Sequence, residues 1–215
     1  MSEPEPSRLF NIFNDLQQRQ LIDIQRSLAL SNSSLVQMQG NKLSKKILYN
    51  QKFYDNLLSE LDDDTLRFVL LHEEGHIQKG SFLPHLGFSV AILFFISLFY
   101  YPFNYGWPYW LFYILIVIPL VYRSVYIILY KEEFIADSFA AEIMRREFHI
   151  EKPSKLLKCL FLKVDEKTNS KTPMKKSKIL LIFFAIIIGM FPDYHPADCT
   201  RIANIRENLE KTDGA

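Results

Sequence analysis

Apolar residues recur every three or four positions from residue 8 to about residue 30: Leu9, Ile12, Phe13 and Leu16, then Leu21, Ile24 and Leu28. That period predicts one amphipathic helix packed on the domain. A polar loop, Ser31-Asn32-Ser33-Ser34, separates it from two short extended stretches, residues 35–38 and 46–49, with Gly40-Asn41 as turn chemistry between them. Residues 53–58 predict a short helix. From Asp62 a stronger helical pattern begins, with Leu66, Val69 and Leu70 at helical spacing and Phe68 and Leu71 broadening the apolar surface. Asp62-Asp63-Asp64-Thr65 supplies capping side chains and negative charge where the helix dipole is positive, and Gly80 provides the stop.

The pattern then changes kind. From residue 80 to residue 122 no side chain carries a fixed charge. Residues 82–101 and 107–130 are each long and apolar enough to cross a bilayer, and residues 102–106 make the turn between them. Tyr100, Tyr101, Tyr105, Trp107, Tyr109 and Trp110 form an aromatic belt around that turn. Lys79, Lys131 and nearly all other basic residues lie on the side from which this hairpin starts, so the positive-inside rule places the rest of the chain in the cytosol. Residues 131–149 return to an amphipathic helix, and residues 154–164 predict another. Lysine-rich residues 167–178 are read as a mobile connection that can touch anionic lipid. The apolar run 179–191 would make a helix of roughly 20 Å, short of the roughly 30 Å hydrocarbon core, and is read as buried or re-entrant. A polar helix is expected from 197 to 211. The fold class expected is mainly α with a small β component (α+β), in three parts: 1–81, a transmembrane hairpin 82–130, and 131–215.

Composition adjusts this picture little. The chain has 215 residues and a net charge of +1, which argues against nucleic acid as a partner. Its two cysteines, Cys159 and Cys199, form neither a metal-type pair nor a disulfide framework and are read as free thiols. Residues 1–7 are acidic and proline-rich, unlike the basic start and apolar run of a signal peptide.

The candidate chemistry lies on the helix after Asp62, which carries His72-Glu73-Glu74-Gly75-His76. In a helix His72 and His76 are one turn apart on one face, so their imidazoles can hold a zinc ion, and Glu73 can reach a water bound to it. Glu74 points elsewhere and is read as a solvated charge. The bland alternative is an amphipathic helix with two surface histidines. In the helix after the hairpin, Glu133 and Asp137 are also one turn apart, and Ala136, Ala140 and Ala141 leave room for a close neighbour. Glu133 can be a third zinc ligand, with Glu132 competing on spacing alone, and Asp137 can hold the far nitrogen of a ligand histidine.

At this point the sequence resembles the integral-membrane zinc metalloproteases of the HtpX type and the related CAAX prenyl-protease type. Three matches carry the resemblance: His72-Glu73-Glu74-Gly75-His76; Glu133-Phe134-Ile135-Ala136-Asp137 with Ala140-Ala141; and His195-Pro196 with Arg201-Ile202. It implies a gluzincin-like protease domain with the hairpin inserted between the zinc motif and the third-ligand helix. It also implies one zinc per chain, Glu133 rather than Glu132 as the third ligand, and His195 or Arg201 in substrate binding or transition-state stabilisation. The segment before the motif departs from the family pattern, in which membrane helices usually precede it.

The expected activity is therefore hydrolysis of an internal peptide bond in a peptide or protein substrate. His72, His76 and Glu133 hold zinc, Glu73 is the general base, and His195 or Arg201 donates to the oxyanion. The stretch Ile47-Leu48-Tyr49 is expected to pair with extended substrate by edge addition. The location expected is the cell (inner) membrane, with the lipid bilayer as a partner and the active site cytosolic. The alternatives are a catalytically inactive zinc-bound membrane scaffold or interaction module, and a soluble helical protein with an accidental motif.

Overall fold

The computed structural model describes residues 7–31, 38–80, 118–169 and 196–210. Most of the expected hairpin, the strand residues before Met38, the run 179–191 and His195 lie outside the described residues. The first helix, α1 (Ser7–Gln18), is shorter than the apolar period suggests. Gln20 adopts a positive φ of 61°, and the N–H groups of Leu21 and Ile22 both return to the carbonyl of Leu16. That closes the helix as a left-handed C-terminal residue does. Leu9, Ile12, Phe13, Leu16 and Ile22 are nonetheless all buried. Leu28 lies in a strand instead, β1 (Ser27–Leu30).

Two more strands, β2 (Met38–Asn41) and β3 (Lys46–Tyr49), complete a small sheet in the order β1-β3-β2. β1 runs parallel to β3, with Leu28 opposite Ile47, and β2 runs antiparallel, with Gly40 opposite Ile47. Gly40 and Asn41 thus belong to a strand and not to the turn. The turn follows them, and the Asn41 side chain accepts a hydrogen bond from the Ser44 N–H at 2.9 Å. A glycine is required at this strand position because β2 lies directly on the motif helix: a Cβ there would collide with the Glu73 carbonyl oxygen. The sheet order also corrects the expected role of Ile47, Leu48 and Tyr49. β3 is the central strand with a neighbour on each side, so it has no open edge to offer a substrate.

After α2 (Gln51–Asn56), whose first turn is capped by Asn50, comes α3 (Asp63–Lys79), the motif helix. Asp62 caps it by accepting from the Thr65 N–H at 2.6 Å, and its last turn closes with Gly80 N–H donating to the His76 carbonyl. Leu66, Phe68, Leu70, Leu71 and Ile77 are buried on several sides at once, as in a helix at the middle of a core. Its principal neighbour is α4 (Ile118–Phe148), 31 residues or about 46 Å long. Gly75 on α3 meets Ala136 on α4 so closely that an added Cβ would lie 2.9 Å from the Ala136 Cα. Small residues at this crossing bring the motif face against Glu133 and Asp137. α4 ends at Phe148 because His149 takes a positive φ of 54° and Ile150 N–H returns to the Met144 carbonyl.

Two further helices close the far side, α5 (Ser154–Asn169) and α6 (Asp198–Ile205), the latter running into a short π-helical turn, Arg206–Glu210. Leu157 of α5 and Ile205 of α6 enter the same buried cluster as Leu9, Leu70 and Met144. One core therefore draws on segments before and after the apolar stretch. Among the described residues no helix is long and apolar enough to cross a membrane.

Candidate metal centre

Four consecutive residues of α3 face three different segments of the fold. Glu73 turns to β2, Glu74 to the segment before β1, Gly75 to α4, and His76 to the space in front of Glu133. One residue advances the helix by about 100°, so this short run meets nearly the whole surrounding.

His72 Nε2 and His76 Nε2 stand 3.1 Å apart. Glu133 Oε2 is 3.6 Å from the first and Glu133 Oε1 is 3.5 Å from the second. Donors at zinc distances of about 2.0–2.1 Å in a tetrahedral arrangement are separated by about 3.3–3.4 Å. The spacing between the two rings lies near that value, each Glu133 oxygen lies near it from one ring, and one donor atom from each residue falls within 4.8 Å of the others, so the set can hold one small cation. Two nitrogens and a carboxylate match the borderline preference of zinc. The structure thus brings together the three residues singled out as ligands.

Behind the donors lies a buried ionic chain. His72 Nδ1 is 2.9 Å from Asp137 Oδ1, an ion-pair distance without hydrogen-bond alignment, so Asp137 stands where its charge favours a proton on Nδ1 and leaves Nε2 to a metal. Arg201 donates to the same carboxylate twice, Nε to Oδ2 and Nη2 to Oδ1, both at 2.6 Å. Its Nη1 lies 3.1 Å from Glu133 Oε2. Arg201 therefore ties both α4 carboxylates together from α6, and each of its nitrogens has a carboxylate neighbour. Burial works against the charge on Asp137, yet the Arg201 and His72 contacts hold its carboxyl below the usual range. At Arg201 burial opposes the charge, but Asp137 and Glu133 outweigh it and hold the proton more firmly. At His76, burial opposes protonation, but the hydrogen bond to Glu133 and the charges of Glu73, Glu133 and Glu132 raise its pKa.

Glu73 is almost fully buried, and its Oε2 accepts a 2.6 Å hydrogen bond from the Gly40 N–H. Strand β2 thus holds the expected base in place, a relationship with no local signal in the sequence. Glu74 corrects the sequence reading outright. It is not solvated but 0 % exposed. Arg26 Nε donates to both of its oxygens at 3.2 Å, and Gln78 donates to Oε1 at 2.8 Å. Burial raises the pKa of this carboxyl against the opposing pull of Gln78 and Arg26.

The model of peptidase family M48 matches residues 38–209. The chain belongs to peptidase family M48. No curated protein and no solved structure matches it. M48 members are typically metal-dependent peptidases, so this chain is a hydrolase of peptide or protein substrates, and the mainly helical fold with a small sheet agrees with an M48 domain. The M48 match begins at the first residue of β2 and leaves α1 and β1 before it.

Proposed function

We propose that this M48 peptidase is a membrane-anchored, zinc-dependent endopeptidase of the HtpX and CAAX-protease kind, with its active site facing the cytosol. The observation that supports it most is the convergence of His72, His76 and Glu133, one donor atom from each within 4.8 Å of the others, one helical position from Glu73. Zinc held by these three donors would polarise the scissile carbonyl and make a bound water acidic. Glu73, oriented by the Gly40 N–H, accepts the proton of the attacking water and returns it to the leaving amine. Asp137 fixes the His72 tautomer. Arg201, expected as an oxyanion donor, is reassigned to positioning, because its guanidinium is spent on Asp137 and Glu133. His195 keeps the oxyanion role in this proposal. With β3 in the centre of the sheet, extended substrate would pair with β2, the edge strand that already touches Glu73.

Anchoring rests on the charge-free stretch 80–122 and on α4. This helix runs unbroken from the end of the second apolar run into the Glu133 turn. The packing of α3 against α4 is compatible with a hairpin that leaves and returns on one side, as this reading requires. The basic residues on that side support a cytosolic domain.

The test is Glu73→Gln in the full chain. It should retain zinc and fold while lowering turnover of a casein-like or membrane-protein substrate by about 10²–10⁴-fold. Near-wild-type turnover would contradict the mechanism.

A further inference from the structure

The segment before the family match grips the motif helix at two points. At the start of α3, Arg8 donates to the Asp63 carboxylate at 2.9 and 2.6 Å and to the Ser59 and Leu61 carbonyls. In the motif itself, Arg26 holds Glu74. Between these points α1 buries Leu9, Ile12, Phe13 and Leu16 in the core that contains Leu66 and Leu70 of α3.

The second contact stands out chemically. A carboxylate at 0 % exposure and a guanidinium nearly as buried have both left water. Such a pair contributes little net stability compared with an apolar pair of the same volume, but it demands one geometry. Its effect is therefore on orientation. Arg26 directly precedes β1, and Gly40 lies in β2. The edge strand β2 and the residue that enters the other edge strand thus hold two consecutive motif side chains, Glu73 through the Gly40 N–H and Glu74 through Arg26. Two such tethers fix the rotation of α3 about its axis. That rotation sets where Glu73 stands relative to His72 and His76.

We propose that Arg26, acting through Glu74, is a positioning residue for the peptidase reaction, and that the segment 7–30 is a working part of the catalytic unit. The proposal rests on the reading of Glu73 as the general base. A misplacement of about 1 Å from a change remote from the chemistry can cost about 10²-fold in rate.

The experiment compares, in the full chain, Arg26→Met, Arg26→Lys and the double variant Arg26→Met with Glu74→Met. Arg26→Met leaves a buried carboxylate without its cation, with only the Gln78 amide as donor, so both stability and activity fall. The double variant removes that uncompensated charge and should recover the thermal midpoint. Its kcat should nevertheless stay about 10- to 100-fold below wild type, with KM within about twofold, and Arg26→Lys should recover part of the loss. A double variant that recovers kcat together with its midpoint would show that the pair only stabilises, and would overturn the proposal. Cobalt(II) absorption gives a reading independent of turnover. The double variant should shift the visible ligand-field bands, because His72 and His76 turn with α3. Unchanged bands together with wild-type kcat, or unchanged bands in a protein that cleaves nothing, would equally overturn the proposal. Failure of the general-base reading is distinct and shows as near-wild-type turnover by Glu73→Gln.

Discussion

Arg201 on α6 and Asp137 on α4, 64 residues apart in sequence, meet in a two-point contact with both hydrogen bonds at 2.6 Å. This geometry is rigid, buried and charge-assisted, so it fixes Asp137 and through it His72. An oxyanion donor and a ligand support fail differently. Arg201→Leu should lower zinc affinity by about 10–100-fold and destabilise the fold by about 3–5 kcal/mol, because Asp137 is left buried without its guanidinium. Zinc titration and thermal unfolding check this. Unchanged zinc affinity with a large fall in kcat would restore Arg201 to the oxyanion role.

The same pair gives an acid limb to stability. Burial raises the Asp137 pKa, but Arg201 and His72 outweigh it and hold the folded value below the ordinary one. The unfolded chain therefore binds the proton more readily than the folded chain. Asp137 contributes stability above the ordinary aspartate range, and that contribution is lost as pH falls through the lower, folded value. Metal-free protein should lose thermal midpoint on acidification through this window, and Asp137→Asn should flatten that part of the profile. An acid limb of equal depth in the variant would remove Asp137 from the account.

Gly75 opposes two effects. Alanine is favoured over glycine inside a helix by about 1 kcal/mol. Here, however, the new Cβ would stand 2.9 Å from the Ala136 Cα and 3.2 Å from the Phe139 ring. Overpacking of that kind costs about 1–3 kcal/mol, and it wedges apart the two helices that carry the donors. Gly75→Ala should therefore lower both the thermal midpoint and zinc affinity. A more stable variant with full affinity would show that the helices can separate freely.

Much of this was legible locally. The motif helix, its Asp62 cap, its Gly80 stop and the one-turn spacing of Glu133 and Asp137 depend on residues within a turn or two of each other, and the structure places them as that spacing predicts. What was not legible depends on distant partners or on unusual backbone. Residues 8–30 read as one helix because Gln20, not a glycine or asparagine, makes the left-handed turn. Glu74 read as solvated because its partner, Arg26, lies 48 residues earlier. Ile47, Leu48 and Tyr49 read as an edge because strand order is set by pairing across the chain and not by alternation within a strand.

The contact between α6 and α4 also bears on the run 179–191. Under the proposed membrane anchoring, the contact of Arg201 with Asp137 predicts that α5 and α6 lie on one side of the bilayer. Cys159 lies on α5 and Cys199 on α6, and both are free. In sealed vesicles, each cysteine tested singly with a membrane-impermeant thiol reagent should label from the same face, with a detergent control for the half-buried Cys159. Labelling from opposite faces would contradict the described packing as well as the site.

The most direct measurement of the central claim is metal content. Purified wild type should hold about one zinc per chain, and His76→Ala and Glu133→Ala, each verified as folded, should hold almost none. Full zinc content in both variants would mean that the convergence of His72, His76 and Glu133 is not the metal site.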